Sequence, residues 1–298
     1  MAKYVLITAA RNEEDYIEKT IRSVISQTVL PERWIIVSDG STDRTDEIVL
    51  EYARTHRFII LLRTTVDSNR NFGSKAKAIA FGYQQLTGVG YDYIGNLDAD
   101  VSFTSTYYEN VIAKFKQNPK LGVAGGIRFD LHDGKFEEII CARNSVGGPF
   151  QFFRRECYEA IGGYLPLKYG GVDAVAEISA RMFGWEVASF PELKVYHYRL
   201  TGTANGNLLQ ARYRCGIRDY LIGYHPLFQT FRALNRLKDK PAFIGSIFFL
   251  WGYLKAAFLR HKRPVSGEFV KYLRAEQRQR MRAKLGDIRI LRLLTMLI

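Results

Sequence analysis

Cysteine is scarce in this chain of 298 residues: Cys141, Cys157 and Cys215 stand far apart. They form neither a CxxC pair for zinc nor an even set for a disulfide framework, which points to a reducing, cytosolic setting. Glycine is absent where two nucleotide-handling classes need it. The apolar run Lys3–Ala9 is followed by Ala10-Arg11-Asn12-Glu13, with no GxGxxG, so a dinucleotide-dependent dehydrogenase is excluded. A nucleotidylyl-transfer enzyme, which uses a glycine-rich basic loop after its first strand, is disfavoured on the same ground. The N-terminus also lacks the long apolar stretch of a leader; Met-Ala-Lys-Tyr-Val-Leu-Ile reads as a strand that starts at once. No internal repeat or low-complexity linker is found.

What is present is a core-forming composition, 47% hydrophobic and 24% charged, on a length that suits one large domain or one domain with an appended segment. The formal charge is +13, and it is uneven. Lys and Arg crowd the last third, from Arg212 to Lys284, whereas the N-terminal half is near balance. Such a field attracts anions: substrate phosphates, an acidic membrane leaflet or nucleic acid.

The first third alternates strand and helix patterns. Strands are predicted at Lys3–Ala9, Trp34–Ser38, Phe58–Leu62 and Tyr93–Leu97, and helices at Glu14–Ser26, Asp43–Thr55 and Ser74–Leu86. This order implies a parallel sheet with helices on both faces, with ligands outside the carboxyl ends of its strands. Three polar clusters fall at those ends: Ala10–Glu13, Asp39–Asp43 and Asp98–Asp100. Further on, Gly122–Phe129, Glu186–Ser189 and Val195–Tyr198 read as strands and Asp173–Phe183 as a helix.

Asp98-Ala-Asp100 ends the fourth strand. Two carboxylates one residue apart can both approach one Mg²⁺ or Mn²⁺. Aspartates also serve turns and helix caps; a second acidic cluster at the second strand is what favours the metal reading. In that cluster, Val37 to Thr45, Asp43 and Thr42 read as helix-capping residues. Asp39 sits first beyond the strand, where its carboxylate can accept a hydrogen bond from a base N–H or a ribose hydroxyl.

Three runs, Val5-Leu-Ile-Thr-Ala-Ala-Arg-Asn-Glu-Glu14, Ile21-Arg-Ser-Val-Ile-Ser-Gln-Thr28 and Ile35-Ile-Val-Ser-Asp-Gly-Ser-Thr-Asp-Arg-Thr45, together resemble the opening of inverting family 2 glycosyltransferases. Gly73–Gly82, Asn96-Leu-Asp-Ala-Asp100, Gly162-Gly-Tyr164, Gly171-Val-Asp173 and Gly184-Trp185 follow in the family's order. Ala80 replaces a usual Asn, and Val172 a usual Glu. The resemblance spans Lys3 to Arg199 and implies an α/β fold of the A type, with a mostly parallel Rossmann-like sheet, acting on a nucleotide-sugar.

By that resemblance Thr8, Ala10, Arg11 and Glu13 line the nucleoside pocket and Asp39 holds base or ribose. Lys75 approaches the nucleotide side and Asp98 the ribose or diphosphate. Asp100 is the main ligand for Mg²⁺ or Mn²⁺, and His197 completes the metal or diphosphate site. Asp173 is the catalytic base, with Glu177 one helical turn on as its rival. Arg199 and Thr201 suit diphosphate oxygens. The family also favours a UDP-sugar over a guanine donor.

The organisation expected is therefore a catalytic domain at 1–200 (donor half 1–102, acceptor half 103–200) and a basic helical region at 201–298. Within the latter, Phe243–Leu259 is apolar but short of the ~20 residues of a spanning helix. It reads either as an in-plane or re-entrant membrane helix or as a helix buried against the catalytic domain. Ile288–Ile298 reads as a basic amphipathic helix or an oligomer contact. The tail favours a lipid-linked or growing polysaccharide acceptor and a cytoplasmic enzyme peripheral on the inner face of the plasma membrane. Nucleic acid is not an expected partner, because the basic residues are mixed with a long apolar run. An inactive nucleotide-binding protein, or one that only binds nucleic acid or membrane, is the alternative.

Overall fold

Two unbroken apolar runs open the chain, and both are buried on both faces. They form β1 (Tyr4–Ala10) and β2 (Arg33–Asp39). A strand without a solvent side is the pattern of a parallel sheet covered by helices. β1 pairs in parallel with β2 and with β4 (Tyr93–Leu97), and β2 with β3 (Ile59–Thr64). The crossovers carry α1 (Ile17–Ile25), α2 (Thr45–Thr55) and α3 (Gly73–Gln84). This computed structural model describes residues 2–64, 71–199 and 208–286, and the chain divides into two compact units, Met1–Thr201 and Gly202–Ile298.

α1 and α2 start later than the sequence pattern predicts, at Ile17 and Thr45 instead of Glu14 and Asp43. The intervening backbone is used to lace two loops together. The Thr42 N–H donates to Asn12 Oδ1 (2.9 Å), the Glu13 N–H to Thr45 Oγ1 (2.7 Å) and the Glu14 N–H to Asp43 Oδ2 (3.0 Å). Side-chain acceptors of this kind compete with helix formation. They hold the carboxyl ends of β1 and β2 side by side.

The rest of the first unit contains β5 (Val101–Phe103), α4 (Tyr107–Gln117), β6 (Leu121–His132) and β7 (Lys135–Glu138), then β8 (Phe150–Arg154), α5 (Arg155–Ala160), α6 (Val172–Met182) and β9 (Glu186–His197). The sheet order is β3-β2-β1-β4-β8-β6-β9-β5, with β7 on β6. β8 enters antiparallel to both β4 and β6, and β5 is antiparallel to β9. The two strands expected at Glu186–Ser189 and Val195–Tyr198 are one strand, β9. It runs parallel to β6 with a register shift between Gly125 and Ile127. Pro191 breaks the apolar pattern but falls beside that bulge, where the ladder is already interrupted.

Gly126 of β6 lies close against the backbone of β9. A Cβ there would lie 2.0 Å from the carbonyl oxygen of Leu193, a clash that only a backbone shift relieves.

The second unit contains α7 (Leu208–Ile222), α8 (Pro226–Asn235), α9 (Ile244–Phe258) and α10 (Gly267–Gly286). α9 covers the apolar stretch at Phe243–Leu259 and buries only one face. Among the described residues no helix is long and apolar enough to cross a membrane. The helix expected at Ile288–Ile298 and the loop residue Thr201 lie outside the described residues.

The close contact at Gly126 makes a prediction. Gly126→Ala should lower stability by about 3 kcal/mol, the upper end for overpacking, whereas Gly90→Ala, with no atom within 4 Å of the added Cβ, should stay within about 0.5 kcal/mol. Urea denaturation of the two variants measures the difference.

Candidate active site

The carboxyl ends of β1, β2 and β4 open into a cleft of about 200 Å³. Ala9, Ala10, Arg11 and Glu13 reach it from the end of β1, Asp39 from β2, and Lys75 from the first turn of α3. Asp98, Ala99 and Asp100 come from the turn between β4 and β5, and Arg199 from just beyond β9. The lacing of the β1 and β2 loops fixes the first two groups. The Asp98 N–H donates to the carbonyl of Pro149 (2.8 Å), which fixes the third against the loop before β8.

The cleft gathers negative charge and compensates it incompletely. Lys75 Nζ donates to Asp98 Oδ1. Desolvation pulls the Lys75 ammonium down, but Asp98, with Asp100 and Asp173 behind it, holds it above its ordinary value. Burial, together with the neighbouring Asp100 charge, raises the Asp98 carboxyl. Glu13 is pushed up to about 8 by burial, with Asp100 adding to the shift and Arg199 opposing it. Arg199 bonds Glu13 Oε2 at 2.6 Å, lies over the Tyr16 ring at 5.5 Å, and sits 3.8 Å from Asp100 Oδ2.

Asp100 is 7% exposed. Burial would raise its pKa, but His197 and Arg199 hold it below the usual carboxylate range. Among the described residues its buried Oδ1 has no hydrogen-bond partner, an arrangement that is costly unless something else fills it. His197 is buried between two carboxylates, with Nε2 3.5 Å from Asp100 Oδ2 and Nδ1 3.0 Å from Asp130 Oδ1. Desolvation would lower its pKa, yet Asp100 and Asp130 raise it. A histidine held at one nitrogen by a carboxylate presents the other in a fixed direction, as metal-ligating histidines do.

Among the described residues no three His, Cys, Asp or Glu side chains form a metal-binding group. The donor set nevertheless suits Mg²⁺ or Mn²⁺. Such ions take one or two carboxylates and complete their shell with water and substrate phosphates, and the orphaned Asp100 oxygen is the group such an ion would satisfy.

Most residues predicted from the sequence converge here: Ala10, Arg11, Glu13, Asp39, Lys75, Asp98 and Asp100 line the cleft, and His197 backs Asp100. Thr8 does not. It is fully buried, and its Oγ1 accepts the indole N–H of Trp34 at 2.9 Å. Strand alternation turns it into the core while Ala9 faces outward, so its pocket role is corrected to a structural one.

Asp173 lies outside the cleft lining but near enough for its charge to raise Lys75. It stands in the first turn of α6, whose N-cap is Gly171 at φ 87° with no side-chain cap bond. Gly148 sits against it: a Cβ on Gly148 would be 2.8 Å from Asp173 Oδ2. Its rival Glu177 points inward and is 4% exposed. Glu177 accepts from the Val146 N–H (2.6 Å), Ser145 Oγ (2.9 Å) and Gln151 Nε2 (2.9 Å), and burial pushes it up to about 7. Glu177 therefore anchors the loop that carries Gly148 and Pro149. That anchor and the Asp130 support of His197 escaped the sequence reading, because each joins residues that no local pattern connects.

Residues 5–158 match the family described as Glycosyl transferase family 2. The chain is 37% identical over 283 residues to a poly-beta-1,6-N-acetyl-D-glucosamine synthase of Staphylococcus aureus, covering 85% of this chain and 63% of that protein. The synthase of the same name from Staphylococcus epidermidis is 28% identical over 209 residues, covering 62% and 47%. The chain thus spans less than two thirds of the length of these relatives. The fold is shared with the mannosyltransferase PcManGT of Pyrobaculum calidifontis in complex with GDP-Man and Mn²⁺ (TM-score 0.55, 18% identity, 99% of this chain and 83% of that one). It is shared also with S. aureus TarS in complex with UDP-GlcNAc (TM-score 0.56, 14% identity, 95% and 85%). The family match takes in just over half of the chain, from β1 to α5, and the sheet is that of the A-type glycosyltransferase fold: this chain belongs to glycosyl transferase family 2.

Proposed function

We propose that the chain transfers a sugar from a UDP-sugar to a hydroxyl of a glycan or lipid-linked acceptor, with inversion at the anomeric carbon. The observation that carries this reading is the cleft itself. Four carboxylates and three cations meet at the strand ends, and among the described residues a buried Asp100 oxygen lacks a hydrogen-bond partner. The names of the relatives support N-acetylglucosamine as the sugar and a growing glycan as the acceptor. We place the reaction at the inner face of the plasma membrane, where a lipid-linked acceptor would be met.

In this reading Asp39 and Arg11 hold the nucleoside. Lys75 and Arg199 are positioned for diphosphate oxygens, Lys75 as a point charge and Arg199 as a planar fork. Asp98 and Asp100 would hold a divalent cation, with His197 beside Asp100; when bound, it supplies neutralisation of the charge developing on the leaving diphosphate. The acceptor oxygen attacks the anomeric carbon as the bond from that carbon to the diphosphate oxygen breaks. The acceptor proton passes to the Asp173 carboxylate. Gly148 leaves that carboxylate room to stand at the start of α6.

Two predictions follow from these assignments. With UDP-N-acetylglucosamine as donor, UDP release should stop in chelator and resume on adding Mn²⁺, and Asp100→Ala should lower the rate by at least about 10²; unchanged turnover in either case removes the metal site. Asp173→Asn should lower kcat by about 10²–10⁴ with UDP affinity kept. Gly148→Ala, which displaces that carboxylate without touching the donor, should lower kcat with little change in donor KM. Full transfer activity in Asp173→Asn would return the base to another group.

A further inference from the structure

An ordinary surface helix turns its apolar stripe inward and its polar side to water. α9 is built the other way round. Its buried face holds small residues, Gly245, Ser246, Gly252 and Ala256, with Phe249 and Tyr253 between them. Those small residues let α7 come close: a Cβ on Gly252 would be 2.1 Å from the Tyr213 carbonyl oxygen, and one on Gly216 of α7 2.0 Å from that of Phe249. The large apolar side chains are left outside. Ile244, Ile247, Phe248, Trp251, Leu254 and Phe258 recur every three or four residues along one exposed face, with Trp251 at 59% and Phe258 at 86% exposure. A continuous apolar face of this kind marks an interaction surface.

The charge around the stripe says what covers it. Residues 202–298 carry 19 Lys and Arg against 5 Asp and Glu. Lys238 and Lys240 precede α9, Lys255 lies on its exposed side, and Arg260 and Lys262 follow it; all five are exposed. Between Arg236 and Pro264 the single acidic residue is Asp239, and Arg212 pairs with it at 3.5 Å. A second copy of this chain, meeting the same face across a two-fold axis, would bring these basic rims together. An anionic bilayer instead offers acyl chains to the stripe and negative headgroups to the rim. At 15 residues the helix is about 22 Å long, short of the roughly 30 Å hydrocarbon core, and Trp251 is the residue type that settles at the bilayer boundary.

We propose that the exposed face of α9 is an in-plane anchor for an anionic lipid surface, inserted through the Ile247–Trp251–Phe258 stripe and steered by the lysines and arginines at its two ends. This deepens the membrane-surface part of the functional reading and is independent of the donor site.

The test is co-sedimentation of the full chain with phosphatidylcholine vesicles, with and without phosphatidylglycerol. Binding should require phosphatidylglycerol and weaken as salt is raised. Trp251→Ser/Phe258→Ser should reduce it at least about tenfold, given the apolar area lost from the bilayer, and Lys238→Gln/Lys240→Gln/Lys262→Gln should reduce it without altering the stripe. UDP binding, measured on the same preparations, should be unchanged in both variants, and their helical circular dichroism should match the wild type, which shows that the helices are still folded. Wild-type protein left in the supernatant, or binding untouched by Trp251→Ser/Phe258→Ser, overturns the proposal. A dimer dissolved by those two substitutions without vesicle binding overturns it in favour of self-association. Loss of UDP binding by the wild-type chain would count against the donor site and leave the vesicle result standing.

Discussion

Carboxylates crowded at the ends of parallel strands repel one another, and the first unit is arranged around containing that repulsion. Asp100 raises the proton affinity of Glu13 and Asp98, and Asp98 that of Glu13, in a partly buried cleft. Three side chains from distant parts of the chain hold them: Lys75 on Asp98, Arg199 on Glu13 and the His197 imidazole against Asp100. The balance is incomplete, since among the described residues one buried Asp100 oxygen has no hydrogen-bond partner. Removing charges from water costs several kcal/mol each unless partners repay it, and the partners in this cleft repay it only in part. A binding site kept short of internal satisfaction is consistent with a cleft suited to a charged ligand.

The supports of the cleft extend well beyond its walls. Asp130 fixes one nitrogen of His197, and Glu177 fixes the loop whose Pro149 carbonyl holds the Asp98 amide and whose Gly148 stands against Asp173. Asp98 and Asp173 are thus set against the loop that Glu177 anchors, and Asp100 against a histidine that Asp130 holds. Charge-assisted hydrogen bonds of this kind are stronger than neutral ones, and a small displacement at a reacting group has a large effect on rate.

How much of this was legible depended on whether the signal was local. The strands β1, β2 and β4 stood out as apolar runs, and the polar residues immediately after them fell where ligands meet open α/β sheets. Thr8 was misplaced because it belongs to the same run as Ala10, and only the pairing of its hydroxyl with Trp34 shows which way it points. β9 was read as two strands because residues 190–193, Pro191 among them, break the apolar pattern; they bulge out of β9 opposite Gly126 of β6, a partner far away in sequence. Asp133-Gly134 carries the hairpin signal for β7 and went unread, since Lys135–Glu138 lacks the apolar alternation of a core strand. In the second unit the apolar stretch at Phe243–Leu259 was visible, but its division into a small-residue face and a bulky outer face depends on where α7 packs.

The central claim is that the cleft is completed by a divalent cation together with a nucleoside diphosphate. Calorimetric titration of the full chain with UDP, with and without Mn²⁺, and with GDP as comparison, tests it most directly. The account predicts that UDP binds at least about tenfold more tightly with Mn²⁺ and more tightly than GDP. Equal UDP affinity with and without the ion, or no binding of either nucleotide, would contradict it.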